Sequence, residues 1–109
     1  MTSARDRTRA LNDELRIHHR GGRIMITAGV QALPPDDLLR IDTAVSTFSA
    51  FDKSNDPYGE HDCGVVNVGS HTIIFKIDYY DQSYAYHSAD PSDPAITQRV
   101  LTIMLADEY

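Results

Sequence analysis

At 109 residues, 41% of them apolar and 24% charged, the chain has the size and composition of one soluble domain that needs neither disulfide nor metal to complete its core. Its one cysteine, Cys63, excludes an internal disulfide and a multi-cysteine zinc site. No apolar run approaches the ~20 residues of a membrane span, and MTSARDRTRAL is charged where a signal peptide needs its apolar centre, so no membrane partner and a cytoplasmic, bacterial-type address are expected.

The net charge of −6 is unevenly spread: residues 1–30 carry six arginines against Asp6, Asp13 and Glu14, giving +3, while residues 31–109 carry Arg40, Lys53, Lys76 and Arg99 against thirteen acids, giving −9. Such a field disfavours direct contact with nucleic acid and favours basic partners, including proteins that themselves hold nucleic acid. The plainer reading is an acidic surface that keeps a small protein soluble.

In chain order, Ser3 to about His18 reads as a helix whose narrow apolar edge is Leu11, Leu15 and His18. Arg5, Arg7, Arg9 and Arg16 surround that edge, so residues 1–20 are expected to form a peripheral, arginine-rich helix of a single domain spanning 1–109. Gly21-Gly22 ends it, Arg23 to Ala28 follows as a β-branched strand, and Gly29 closes the strand. Pro34-Pro35 opens a second helix with Asp36 and Asp37 in its first turn, where the dipole favours carboxylates. Leu38, Ile41, Val45 and Phe48, widened by Ala44 and Phe51, give it a broad apolar face.

The stretch Tyr58–Tyr86 organises the chain as three short strands joined by turns at Val68-Gly69-Ser70 and Asp81-Gln82-Ser83. Within it Ile73, Phe75, Ile77 and Tyr79 alternate toward the core, and Lys76, Asp78 and Tyr80 toward the opposite face. A final helix is expected from Asp93-Pro94, with Ile96, Val100, Ile103 and Met104 inward and Asp107 and Glu108 exposed at its end, where they contribute little. The fold class is therefore α+β: a small, mainly antiparallel four-stranded sheet with helices packed on one face, in the order α-β-α-β-β-β-α. Phe48, Phe75, Ile77, Val100 and Met104 should share its core.

Three blocks stand out: DPYGEHD at Asp56–Asp62, KIDYYD at Lys76–Asp81, and RVLTIMLA-x-EY at Arg99–Tyr109. With TAGV at Thr27–Val30, they resemble a family of short bacterial proteins classed as a domain of unknown function, over roughly Gly21 to Tyr109. That resemblance implies no reaction, and no catalytic residue carries over from it. Where the family tends to have an aromatic after the His-Asp pair, this chain has Cys63, which argues against a nucleophile there.

Glu60-His61-Asp62 is the densest polar triplet. With Asp78 it could hold a divalent metal or serve acid–base chemistry, although its spacing matches no metalloprotease, P-loop, hydrolase-elbow or EF-hand pattern. Against that stands a structural role, with Asp56, Tyr58 and His61 bonding a sharp turn. Cys63 reads as a buried, inert thiol, and His18-His19 as a solvated helix end. The leading expectation is a non-enzymatic acidic binding protein without cofactor or metal. It would occupy a basic site on a protein partner, in its most concrete form as a nucleic-acid mimic inhibiting a nucleic-acid-handling complex, of anti-CRISPR or anti-restriction type. The expected contact residues are Asp78, Tyr80, Asp81, Tyr84, Tyr86, Asp107 and Glu108. The alternative is a small metal-dependent or acid–base enzyme using Glu60, His61, Asp62 and Asp78.

Overall fold

The computed structural model describes residues 2–109. Helix α1 spans Ala4–His18, opened by Ser3, whose Oγ accepts the Asp6 N–H at 3.0 Å. His19 closes it in the left-handed conformation at φ 58°. The stop therefore precedes Gly21-Gly22. Gly22 serves close approach instead, since a Cβ there would overlap the Arg99 carbonyl. The buried stripe of α1 is Thr8, Asn12, Leu15 and Arg16, in place of the expected Leu11, Leu15 and His18, and His18 is exposed. Beside the fully buried Leu15, Asn12 thus bonds the sheet residues Tyr79 and Arg99, while Arg16 bonds the Val45 and Phe48 carbonyls.

Strand β1 (Arg23–Ile26) is followed by a one-turn helix α2 (Ala28–Gln31) and by α3 (Pro35–Thr47). The amphipathic face of α3 is the expected one: Ile41 and Val45 are buried, with Leu38, Ala44, Phe48 and Phe51 packed around them. Strands β2 (Cys63–Val68) and β3 (His71–Tyr80) form a hairpin whose turn uses Gly69 at φ 58°.

Two expected elements are replaced. Residues 83–86 form no strand; they belong to a loop held by an isolated bridge between Tyr80 and His87, with Tyr84 at φ 60°. The final helix is instead strand β4 (Gln98–Leu105), ending in a 3-10 turn, Ala106–Glu108. Its run Val100-Leu101-Thr102-Ile103-Met104 is apolar on both faces because it lies inside the sheet, and such a run mimics a helical face when periodicity is the guide.

The sheet order is β1-β4-β3-β2, mixed rather than purely antiparallel: β1 runs parallel to β4, and the other pairs are antiparallel. Register decides the faces. Phe75 lies beside Ile103 and Ile77 beside Leu101, and these join Ile73, Tyr79, Leu15, Val30, Ile41 and Val45 in one cluster, so all three helices cover the same face. Phe48, Phe75 and Ile77 share this core, whereas Val100 and Met104 point to the opposite face, beside Asp78 and Ile74. Among the described residues no helix covers that face. Its rows run Val65–Ile74–Met104, then Cys63–Lys76–Thr102–Met25, then Asp78–Val100–Arg23.

Candidate functional site

The triplet Glu60-His61-Asp62 follows a turn built by Asp56, whose buried carboxylate accepts the N–H groups of Glu60 at 3.0 Å and His61 at 3.2 Å. Gly59 and His61 both take positive φ to make it, while Tyr58 stays exposed and outside the bonding. The three side chains then diverge. Glu60 accepts the Tyr79 hydroxyl at 3.2 Å. His61 stacks on Phe51, with ring centroids 4.0 Å apart, and its Nδ1 meets Asp13 Oδ1 at 2.9 Å. Asp62 turns toward Asp78. Among the described residues no three His, Cys, Asp or Glu side chains are placed to share a metal ion, so Glu60, His61, Asp62 and Asp78 do not assemble as one site.

Behind this turn is a buried polar network that sequence patterning missed. Arg16 donates to the carbonyls of Val45 and Phe48, both at 2.9 Å, and to Asp13 at 3.1 Å, so its cation caps the C-terminus of α3. Asn12 donates to Tyr79 Oη at 2.8 Å and to the Glu60 carbonyl at 3.0 Å, and accepts from Arg99 Nε at 2.7 Å. Arg99 also donates to the Pro91 carbonyl and lies over the Tyr79 ring. Burial pushes the Tyr79 hydroxyl well above, and the Arg99 guanidinium below, their ordinary ranges. The one signal available was the spacing Thr8, Asn12, Arg16, which puts three polar side chains on one helix face.

The cleft lies where β3 outruns β2. Strand β2 begins at Cys63 while β3 continues to Tyr80, leaving a notch of about 300 Å³ between Asp62 and the loop that returns through Tyr86 and His87. The Ile77 N–H bonds the Asp62 carbonyl at 2.7 Å, which fixes Asp62 at the mouth. Its carboxyl is raised above the usual range, first by burial and then by repulsion from Asp56 and Asp78. Asp78 has Lys76 at 3.3 Å on the open face. Cys63 is exposed rather than buried; partial loss of solvent around its sulfur, with the Asp62 and Asp56 carboxylates nearby, raises its thiol above the ordinary range.

Of the expected contact residues, Asp78, Tyr80 and Tyr86 line this notch. Asp81 and Tyr84 belong to the adjoining loop and have work within it. The Asp81 carboxylate accepts Ser83 N–H, Ser83 Oγ–H and Ala85 N–H. Tyr84 donates to Gln98 Oε1 at 3.0 Å, beneath the Arg23 guanidinium. Asp107 and Glu108 sit at the opposite end of the sheet, beyond Leu105, which pairs with Ile73 at the far end of β3. Glu108 is no idle terminus: its carboxylate accepts Thr27 Oγ1–H, Gly29 N–H at 3.0 Å and Leu105 N–H at 3.0 Å.

Set against known proteins, residues 26–108 match a family described as Protein of unknown function (DUF3768). The chain belongs to that family. No curated protein and no solved structure matches it. The DUF3768 segment holds the whole notch and the Asp56 turn, whereas α1, which supplies Asn12, Asp13 and Arg16 to the network beneath, lies outside the matched residues.

Proposed function

We propose that this chain is a binding protein that takes a basic side chain of a partner protein into the notch at the end of β3. The observation that supports this most is the electrostatic imbalance there. Asp62 and Asp78 face the same cleft, Asp62 is half-buried with its carboxyl raised, and among the described residues no lysine or arginine forms an ion pair with it. A lysine or arginine from outside would supply the missing charge, with Tyr80 and Tyr86 beside it as aromatic surfaces. Tyr86 is 76% exposed and reads as an interface anchor.

Nucleic-acid mimicry is the more specific form of this reading, in which the partner's basic site otherwise holds nucleic acid. Much of the acidic excess has other work: Asp52, Asp56, Asp81, Asp90 and Asp93 all bond backbone N–H groups of their own loops, and Glu108 bonds those of Leu105 and Gly29. The notch carboxylates fasten no such loop, Asp78 standing beside Lys76 at 3.3 Å on the open face, and are therefore the residues to test.

Titration with a short oligoarginine peptide, followed by calorimetry at low and high salt, gives the direct check. Binding should weaken with salt, fall further in Asp78→Asn, and lose about 1 kcal/mol in Tyr86→Ala. A peptide that binds Asp78→Asn and Tyr86→Ala as tightly as the parent chain places the contact elsewhere. For an identified partner, simultaneous binding of nucleic acid and this protein would exclude mimicry.

A further inference from the structure

The sheet ends on one side in β1, which pairs only with β4. All four residues of β1 are exposed, among them three consecutive apolar ones, Ile24, Met25 and Ile26. None of the prolines, inward charges or bulges that usually guard an open edge interrupts them. The Thr27 N–H donates to the Ile103 carbonyl, which sets the alternation: Met25 turns its backbone groups toward β4, and Ile24 and Ile26 turn theirs outward. The outward carbonyl of Ile26 is taken by Gln31 Nε2 at 2.9 Å. Ile24 keeps one donor and one acceptor facing out. On the helix side, Ile24 and Ile26 floor an apolar pocket of about 300 Å³ with Val30, Leu38, Ile41 and Ile103, so this end of the sheet is under-covered there as well.

We propose that this edge is where a second copy of the chain docks, β1 against β1, antiparallel about a two-fold axis at Ile24, joining the two four-stranded sheets into one. A two-fold axis pairs the Ile24 N–H with the Ile24 carbonyl of the other copy, twice, which is the pattern that one free donor and one free acceptor on the same residue offer. Charge selects the same occupant. Arg23, Met25 and Thr27 share the open face, and residues directly or diagonally opposite in an antiparallel pair lie within ~8 Å. The rotation therefore carries Arg23 to the Thr27 corner of the other copy, where Glu108 sits on Thr27 Oγ1 and Gly29 N–H. A basic strand start meets an acidic strand end on both sides of the axis. The open faces of the two copies become continuous, and the two notches lie at the outer reaches of the joined sheet, independent of this contact.

Sedimentation equilibrium of the full chain, from low to high micromolar, should show a reversible doubling of mass. Met25 is 54% exposed, and Met25→Lys should abolish that doubling while leaving the circular dichroism unchanged; Val65, 55% exposed on the opposite edge strand, should tolerate Val65→Lys with the dimer intact. In the unsubstituted chain, exchange of the Ile24 amide should slow as concentration rises while that of Val65 stays constant, a reading that needs no variant to fold. A chain that is monomeric throughout, a dimer that survives Met25→Lys, a dimer lost in Val65→Lys, or an Ile24 amide indifferent to concentration each overturns the proposal.

Discussion

Asp62, just before β2, and Asp81, just after β3, lie in opposite electrical surroundings. The carboxyl of Asp81 is held below its usual range by the Ser83 hydroxyl first and by backbone N–H groups of its loop, whereas that of Asp62 is raised by burial and by two neighbouring carboxylates. A carboxyl raised in the folded state contributes stability below its ordinary value of about 4 and loses it as pH climbs through the raised value. Asp62→Asn should therefore raise the melting temperature at pH 7, with the gain vanishing near pH 3; thermal scans at the two pH values check this, and an unchanged or lowered Tm at pH 7 contradicts the assignment. Stabilisation by removal of a charge is itself a mark of a site poised for something other than folding. Arg16 presents the reverse case. Arg16→Leu strips the donors from the Val45 and Phe48 carbonyls and should cost about 3 kcal/mol in urea unfolding, since each buried acceptor left bare costs ~1–3 kcal/mol.

At the scale of elements, β2 passes so close to Phe75 that a Cβ on Gly64 would stand 2.6 Å from the ring. That ring is fully buried, edge-on to Phe48 and Phe51 at 5.4 and 6.4 Å, and it has no room to retreat. Gly64→Ala should cost about 1–3 kcal/mol by overpacking, read as a lower urea midpoint at unchanged slope. The alternation Ile73, Phe75, Ile77, Tyr79 and the proline-led start of α3 were legible because the first follows one period and the second its own helix-start chemistry. The last strand was not: Val100 to Met104 satisfies the helical spacing as well as that of a strand buried on both faces, and only its parallel pairing with β1, some 77 residues earlier, decides between them. The polar stripe of α1 failed for a related reason, because Asn12 and Arg16 read as solvated until Tyr79 and Arg99 are brought beside them. The notch was half legible. Asp78 and Tyr80 could be named from β3, and Tyr86 only from an expected strand that the structure replaces with a loop; their separation from Asp107 and Glu108 depends on which end of β3 meets Leu105.

For the molecule as a whole, loops are fastened by carboxylates. Asp52, Asp81, Asp90 and Glu108 all titrate below their usual values because serine or threonine hydroxyls and backbone N–H groups bond the ionised forms. Their sign is opposite to that of Asp62: the stability they contribute is present above about pH 4 and lost as pH falls through the lowered values. Urea midpoints should thus decline between pH 4 and pH 2, and the decline should be shallower in Asp81→Asn. An identical slope in that variant removes the Asp81 loop from the account.

The strand order also bears on synthesis. β4 lies between β1 and β3, so a nascent chain that has not yet exposed residues 98–105 holds an unpartnered β1 and a lone β2–β3 hairpin, with no centre to join them. A two-stranded hairpin is marginal by itself. Folding must then wait for β4, leaving the earlier apolar segments open to chaperones while translation proceeds. Chains stalled on the ribosome with β4 still in the exit tunnel should be cut by protease throughout, and those stalled far enough beyond it should resist.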